Sequence, residues 1–165
     1  MLRLLQSKRT LFITLAAGAL VAGAASGAYA GTAAPASTPA GPAVYSGFHD
    51  APITLPTSLH TIATLRVPAG NYAVFTKLTL WNGQNIDDTL TCKLVAGGDF
   101  DQTYTVLTGN TVPYANYATT SLNVVHRFTR RGKIQLQCTG GNVDTTASWI
   151  KITAIKAGSL SNHGI

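Results

Sequence analysis

The sequence predicts an all-β protein: one antiparallel β-sandwich domain behind a signal peptide and a flexible linker. Three observations predict it. From about Thr57 onward the apolar period is two rather than 3.6. Turn-forming clusters interrupt that alternation at short intervals. The polar residues are mostly Thr, Ser, Asn and Gly, with no glutamate anywhere; Thr suits strands, and Gly and Asn suit turns.

The N-terminal element is an export signal, residues 1–30. "MLRLLQSKRT" carries Arg3, Lys8 and Arg9 and no acid, and an apolar run rich in small residues follows it. Ala28 and Ala30 form an A-x-A pattern, which places cleavage after Ala30. The rival reading is an uncleaved span, since crossing a bilayer takes about 20 apolar residues. The run weakens at Ser26 and Gly27, so no span is expected after cleavage. The signal holds three of the twelve Lys and Arg, leaving nine against six Asp, a net of +3. That is not the charge of a nucleic-acid binder.

Residues 31–47, "GTAAPASTPAGPAVYSG", mix Pro, Ala, Ser, Thr and Gly with no apolar period and read as a flexible linker. Residues 48–165 form the domain. In "GNYAVFTKLTLWN", Tyr72, Val74, Thr76, Leu78 and Leu80 alternate against Ala73, Phe75, Lys77, Thr79 and Trp81. "DTLTCKLVAGG" sets Leu90, Cys92 and Leu94 on one face. "SLNVVHRF" sets Leu122, Val124, His126 and Phe128 against Asn123, Val125 and Arg127. "KIQLQC" sets Ile134, Leu136 and Cys138 together, and "ASWIKITAIKAG" sets Ile150, Ile152 and Ala154 against Trp149, Lys151, Thr153 and Ile155. Seven or eight such strands, separated by "VPAGN", "NGQN", "AGGDFD", "TGNTVP", "TRRGK" and "TGGNVD", argue for a β-sandwich of jelly-roll kind. About 135 residues remain after cleavage, enough for one core and too few for two.

Cys92 and Cys138 both fall on the Leu-bearing face of their strands. With export to an oxidising compartment and an even count, they are expected to form one disulfide, in the core or across neighbouring strands. Each strand soon ends in Gly-Gly, expected where the backbone needs positive φ.

The stretch "TLRVPAGNYAVFTKLTLWN", followed by "LTCKL", "VVHRFTRRGKIQLQC" and "WIKITAIKAGSL", resembles small exported bacterial proteins of unassigned activity. Pro68, Ala69, Gly70 and Tyr72 also look like the lead into a central strand in the jelly-roll heads of complement and tumour-necrosis-factor-type proteins. The resemblance covers roughly Thr57 to Leu160. It implies an extracellular jelly roll and, from the trimeric heads, a homotrimer with aromatic contacts.

No catalytic constellation is legible. All six acids are Asp, at 50, 87, 88, 99, 101 and 144, mostly in expected turns. G-x-S-x-G is absent. His126 reads as a half-buried, hydrogen-bonded strand histidine; His49, with Asp50, reads as the linker's end and His163 as C-terminal tail. Asp99 and Asp101 read as a solvated turn, with a weak calcium site as the alternative should Asp87 or Asp144 lie nearby. Arg127, Arg130, Arg131 and Lys133 read as a charged hairpin tip that discourages edge pairing, or as a grip on an anionic polymer. Trp81, Tyr104, Tyr114, Tyr117 and Trp149 are the aromatic candidates. Alternation leaves open whether Trp81 and Trp149 are core, interface or an exposed sugar platform, because both strand faces carry apolar residues.

The expected function is that of a noncatalytic secreted structural or interaction protein without a cofactor, acting on a polysaccharide or another extracellular protein. The runner-up is a carbohydrate-binding module using Trp81 and Trp149. A small secreted hydrolase, or an inhibitor of one, is the third reading.

Overall fold

The computed structural model describes residues 42–111, 116–141, 144–161 and 163. The expected signal peptide, the expected linker up to residue 41 and Tyr114 lie outside them. Among the described residues the chain forms nine strands and no helix: β1 (Val44–His49), β2 (Ile53–Thr54), β3 (His60–Val67), β4 (Gly70–Asn82), β5 (Asp88–Ala96), β6 (Asp99–Leu107), β7 (Tyr117–Phe128), β8 (Gly132–Thr139) and β9 (Thr145–Ala157). They pair antiparallel in two sheets. One has the order β1-β9-β4-β7, with β2 pairing β9 in line with β1; the other has the order β3-β8-β5-β6.

The fold is therefore the antiparallel sandwich that the alternation predicts. Tyr72, Val74, Leu78 and Leu80 of β4 face Leu90, Cys92 and Leu94 of β5 and Ile134 and Leu136 of β8 in one continuous core, each fully or almost fully buried. Period-two side chains leave the odd-numbered residues of β4 on the outer face. Buried Tyr72 donates its hydroxyl to the Pro68 carbonyl at 3.2 Å and meets Phe128 edge-on, with centroids 6.1 Å apart.

Chain order corrects three local expectations. The linker was expected to run to Gly47, but β1 begins at Val44 and pairs Val44 to His49 with Ile155 to Ile150 of β9. The expected Arg-rich hairpin is a crossing between sheets, because β7 and β8 belong to different sheets. The two Gly-Gly pairs also differ. Gly97 turns the β5–β6 hairpin at φ 61°, where L-residues are strained. Neither Gly140 nor Gly141 has positive φ. Gly141 is instead small because its N–H donates to the Asp88 carboxylate at 2.9 Å, and a side chain there would strike that carboxylate.

The expected disulfide is present. Cys92 on β5 is the register partner of Cys138 on β8, and the bridge lies buried in the core.

Candidate functional site

The outer face of the five-stranded sheet carries the most distinctive surface chemistry. On β4 the outward residues are Phe75, Lys77, Thr79 and Trp81, paired in register with Asn123, Ser121, Thr119 and Tyr117 of β7. Trp81 and Tyr117 stack tilted, centroids 6.3 Å apart. On the other side of β4 lies β9, with Lys151 opposite Lys77 and Thr153 opposite Phe75.

Trp149 reaches this face through a β-bulge. Register partners jump from Lys77–Lys151 to Thr79–Ser148, so Trp149 and Ile150 together oppose Leu78. Trp149 has φ 52°, among the described residues the only positive value outside glycine. Its side chain is 64% exposed. Its N–H donates to the Asp50 carbonyl at 3.4 Å, which ties the bulge to the end of β1. The bulge also changes the inward parity of β9 from Thr145 and Ala147 to Ile150 and Ile152.

Trp149, Phe48, Lys77, Lys151, Thr79 and Thr119 line one shallow depression of about 460 Å³. Phe48, 78% exposed, stands on β1 opposite Lys151. Asp50 lines the depression as well. Chemically this is an open aromatic surface with hydroxyl and ammonium donors. It is open to solvent rather than an enclosed cleft, and Asp50 is the one carboxylate in its lining.

The other sequence candidates lie elsewhere. Trp81 is partly covered at one end of this face, its ring packed over Gly83. Arg127 lies on the same face at its far end, in register with Asn71. Arg130 and Arg131 sit on the β7–β8 crossing, and Lys133 faces Arg66 across β8 and β3. These four cations form a separate basic end of the sandwich. Tyr104 is exposed on the outer side of the four-stranded sheet. His163 pairs with Ser161 at 2.6 Å.

Asp99 and Asp101 do not form a solvated turn. Both lie on β6, and both reach across to β7: Asp99 pairs with His126 Nδ1 at 2.8 Å, and Asp101 accepts the Asn123 N–H at 2.9 Å. Asp87 precedes β5 and Asp144 precedes β9, at the opposite end of the sandwich from Asp99, so neither can complete a calcium site with it. Among the described residues no group of three or more His, Cys, Asp or Glu could hold a metal ion. His126 is half-buried, as expected for a strand histidine. Its ring lies edge-on to Phe128 at 4.4 Å and its Nε2 presses against Gly97, where no Cβ would fit. Asp87 accepts the Gly109 N–H at 3.0 Å, Asp88 binds Gly141 and Thr145, and Asp144 binds Gln84. These carboxylates brace loops.

Trp149 is legible as a candidate in the sequence; Phe48, just past the expected linker, and the lysine pair are not. Lys77 shares strand parity with Trp81, so its face was legible; its pairing with Lys151 depends on non-local register and was not.

Among the described residues no helix is long and apolar enough to cross a membrane. No protein-family profile matches the chain, and no curated protein matches it. Solved structures do. The chain is similar to a chain of the T13 viral particle of infectious bursal disease virus, with TM-score 0.49, 13% identity, and coverage of 71% of this chain and 31% of that one. It is similar to the Gx strain of that virus, with TM-score 0.48, 13% identity, and coverage of 72% and 33%. It is also similar to the VP2 subviral particle, with TM-score 0.46, 13% identity, and coverage of 72% and 34%. The chain thus spans about a third of the length of these viral chains.

Proposed function

We propose that this is an exported, noncatalytic binding protein that acts through the outer face of its five-stranded sheet, and that its ligand there is an extracellular polysaccharide. The observation that carries the reading is Trp149, 64% exposed and held at φ 52° in a bulge. A bulky residue in the left-handed region costs on the order of 1–3 kcal/mol and persists only where its surroundings enforce it. Glycine would relieve that cost. A tryptophan aimed at solvent from a strained backbone is what a stacking platform needs, with an apolar ring face for a sugar and Thr79, Thr119 and the lysines as polar donors around it. The N-terminal charge and A-x-A pattern support export, and the buried disulfide suits an oxidising compartment.

The test is binding of the purified protein to a panel of insoluble and soluble polysaccharides. Trp149→Ala is expected to abolish binding, and Trp81→Ala to weaken it, with the fold intact by near-ultraviolet circular dichroism. Binding unaffected by Trp149→Ala overturns the reading.

A second reading, self-association, draws on Phe75, Val44 and Ile155, which are exposed on the other half of the same face. Light scattering would show a stable trimer or other oligomer, broken by Phe75→Ser, in a protein that binds no polysaccharide.

A further inference from the structure

Lys77 and Lys151 form an arrangement that the sheet gains nothing from. They are direct register partners on β4 and β9, and like charges directly opposite across an antiparallel pair are destabilising. Neighbouring rows avoid this: Thr79 faces Ser148, and Phe75 faces Thr153. Both lysines are exposed. Among the described residues the sole ion pair joins His126 to Asp99, so none of their carboxylates lies within 4.0 Å of either ammonium. Asp50 lines the same depression, where one acid against two lysines leaves a net positive site. The two ammonium groups thus stand beside Trp149 and Phe48, at the centre of the face proposed to bind sugar.

We infer that the lysine pair is an anion-recognition element, and that the ligand of this face is an acidic glycan. The anionic group of one sugar sits between the ammonium groups of Lys77 and Lys151 while an adjacent ring lies on Trp149. An anion placed there turns the repulsion between the lysines into two attractions, and a neutral sugar leaves the repulsion in place. Lysine ammoniums act as mobile point charges rather than a planar fork, so a carboxylate and a sulfate fit equally well. This inference rests on the polysaccharide reading above and names its substrate class.

The experiment is affinity electrophoresis and calorimetry of the full protein with polygalacturonate and alginate as carboxylate polymers, dextran sulfate as a sulfate polymer, and xylan and mannan as neutral ones. The acidic polymers are expected to bind at least about tenfold more tightly than the neutral ones, which corresponds to about 1.4 kcal/mol. The Lys77→Gln/Lys151→Gln double variant is expected to lose that preference, its affinity for acidic polymers falling to that for neutral ones. Its melting temperature is expected to equal or exceed that of the parent, because a like-charge pair has been removed. Lys133→Gln/Arg66→Gln, which removes the same charge from the other sheet, is expected to bind as the parent does. Equal loss in both double variants would assign the preference to net charge and overturn the inference. Neutral polymers bound as tightly as acidic ones would overturn it and leave the aromatic platform standing. No binding to any polymer would overturn both. A preference for carboxylate or for sulfate identifies the anion and supports the inference either way.

Discussion

Cys92 and Cys138 face each other directly across the β5–β8 ladder, with Cα atoms 4.2 Å apart. That spacing suits the closer, non-hydrogen-bonded pairs of an antiparallel sheet. The bridge closes a sequence separation of 46 residues, a loop that contains β6 and β7, the strands that brace one side of the sandwich. In the chain-entropy picture such a loop contributes up to about 4 kcal/mol. Cys92→Ala/Cys138→Ala is expected to lower the unfolding free energy by about 2–4 kcal/mol, read as a lower urea midpoint. A variant as stable as the parent would show that the ladder alone holds these strands.

The faces of the strands were legible, but their partners were not. Tyr72, Val74 and Leu78 share a parity that Phe75, Lys77 and Trp81 do not, and alternation says so. Which set is inside depends on the second sheet, since both are partly apolar, and no local pattern decides it. β1 escaped notice for a related reason. "VYSGFH" alternates weakly and follows a Pro- and Ala-rich stretch, and it becomes a strand because β9 offers it a ladder. β6 inverts the usual rule, with Asp99 and Asp101 turned toward β7 while Phe100 and Tyr104 are exposed. A turn rich in Asp looks solvated in sequence because the partners of its carboxylates, His126 and the donating Asn123 N–H, lie more than twenty residues away. The same limit hid the Lys77–Lys151 pair and the bulge at Trp149, both of which are consequences of register.

Asp88 holds two loops at the end of the sandwich opposite the basic cluster. Its buried carboxylate accepts the Gly141 N–H at 2.9 Å and the Thr145 hydroxyl. Asp88→Ala leaves both donors without that partner, and hydrogen bonds to a charged group contribute about 1.5–3 kcal/mol each. A loss of about 2–4 kcal/mol is expected for Asp88→Ala, and a smaller one for Asp88→Asn, whose amide oxygen still accepts from Gly141. Denaturant unfolding of the two variants checks the order. Equal losses would mean that the charge, rather than the acceptor geometry, matters here.

Tyr72 gives the sandwich a weakness in alkali. Burial raises its phenol above the usual tyrosine value, and Tyr45 adds to the rise. The folded state therefore keeps the proton at a pH where the unfolded chain has released it, about 10 and above. The unfolded state then binds fewer protons, so stability falls as pH climbs through that range and is fully present below about pH 10. Tyr72→Phe removes this dependence. It also removes the hydrogen bond to Pro68, at a cost of about 1 kcal/mol near neutrality. Urea midpoints at pH 8 and pH 10.5 are expected to differ less in the variant than in the parent. Identical slopes in the two proteins would show that Tyr72 does not titrate on unfolding.

Trp149 separates stability from binding in a way that a core residue could not. Its φ of 52° is a conformation that glycine adopts without cost and tryptophan does not. The ring, 64% exposed, buries little that folding would miss. Trp149→Gly is therefore expected to fold at least as stably as the parent, with a gain of up to about 1 kcal/mol from released strain offset in part by the greater freedom of the unfolded chain. Trp149→Ala keeps the strain and is expected to be slightly less stable than Trp149→Gly. Both are expected to lose polysaccharide binding. Thermal melts of the three proteins, run beside the binding assay, read the two quantities independently. If Trp149→Gly were clearly less stable than Trp149→Ala, the bulge would not be strained by its side chain, and no stored strain would mark Trp149 as a binding ring.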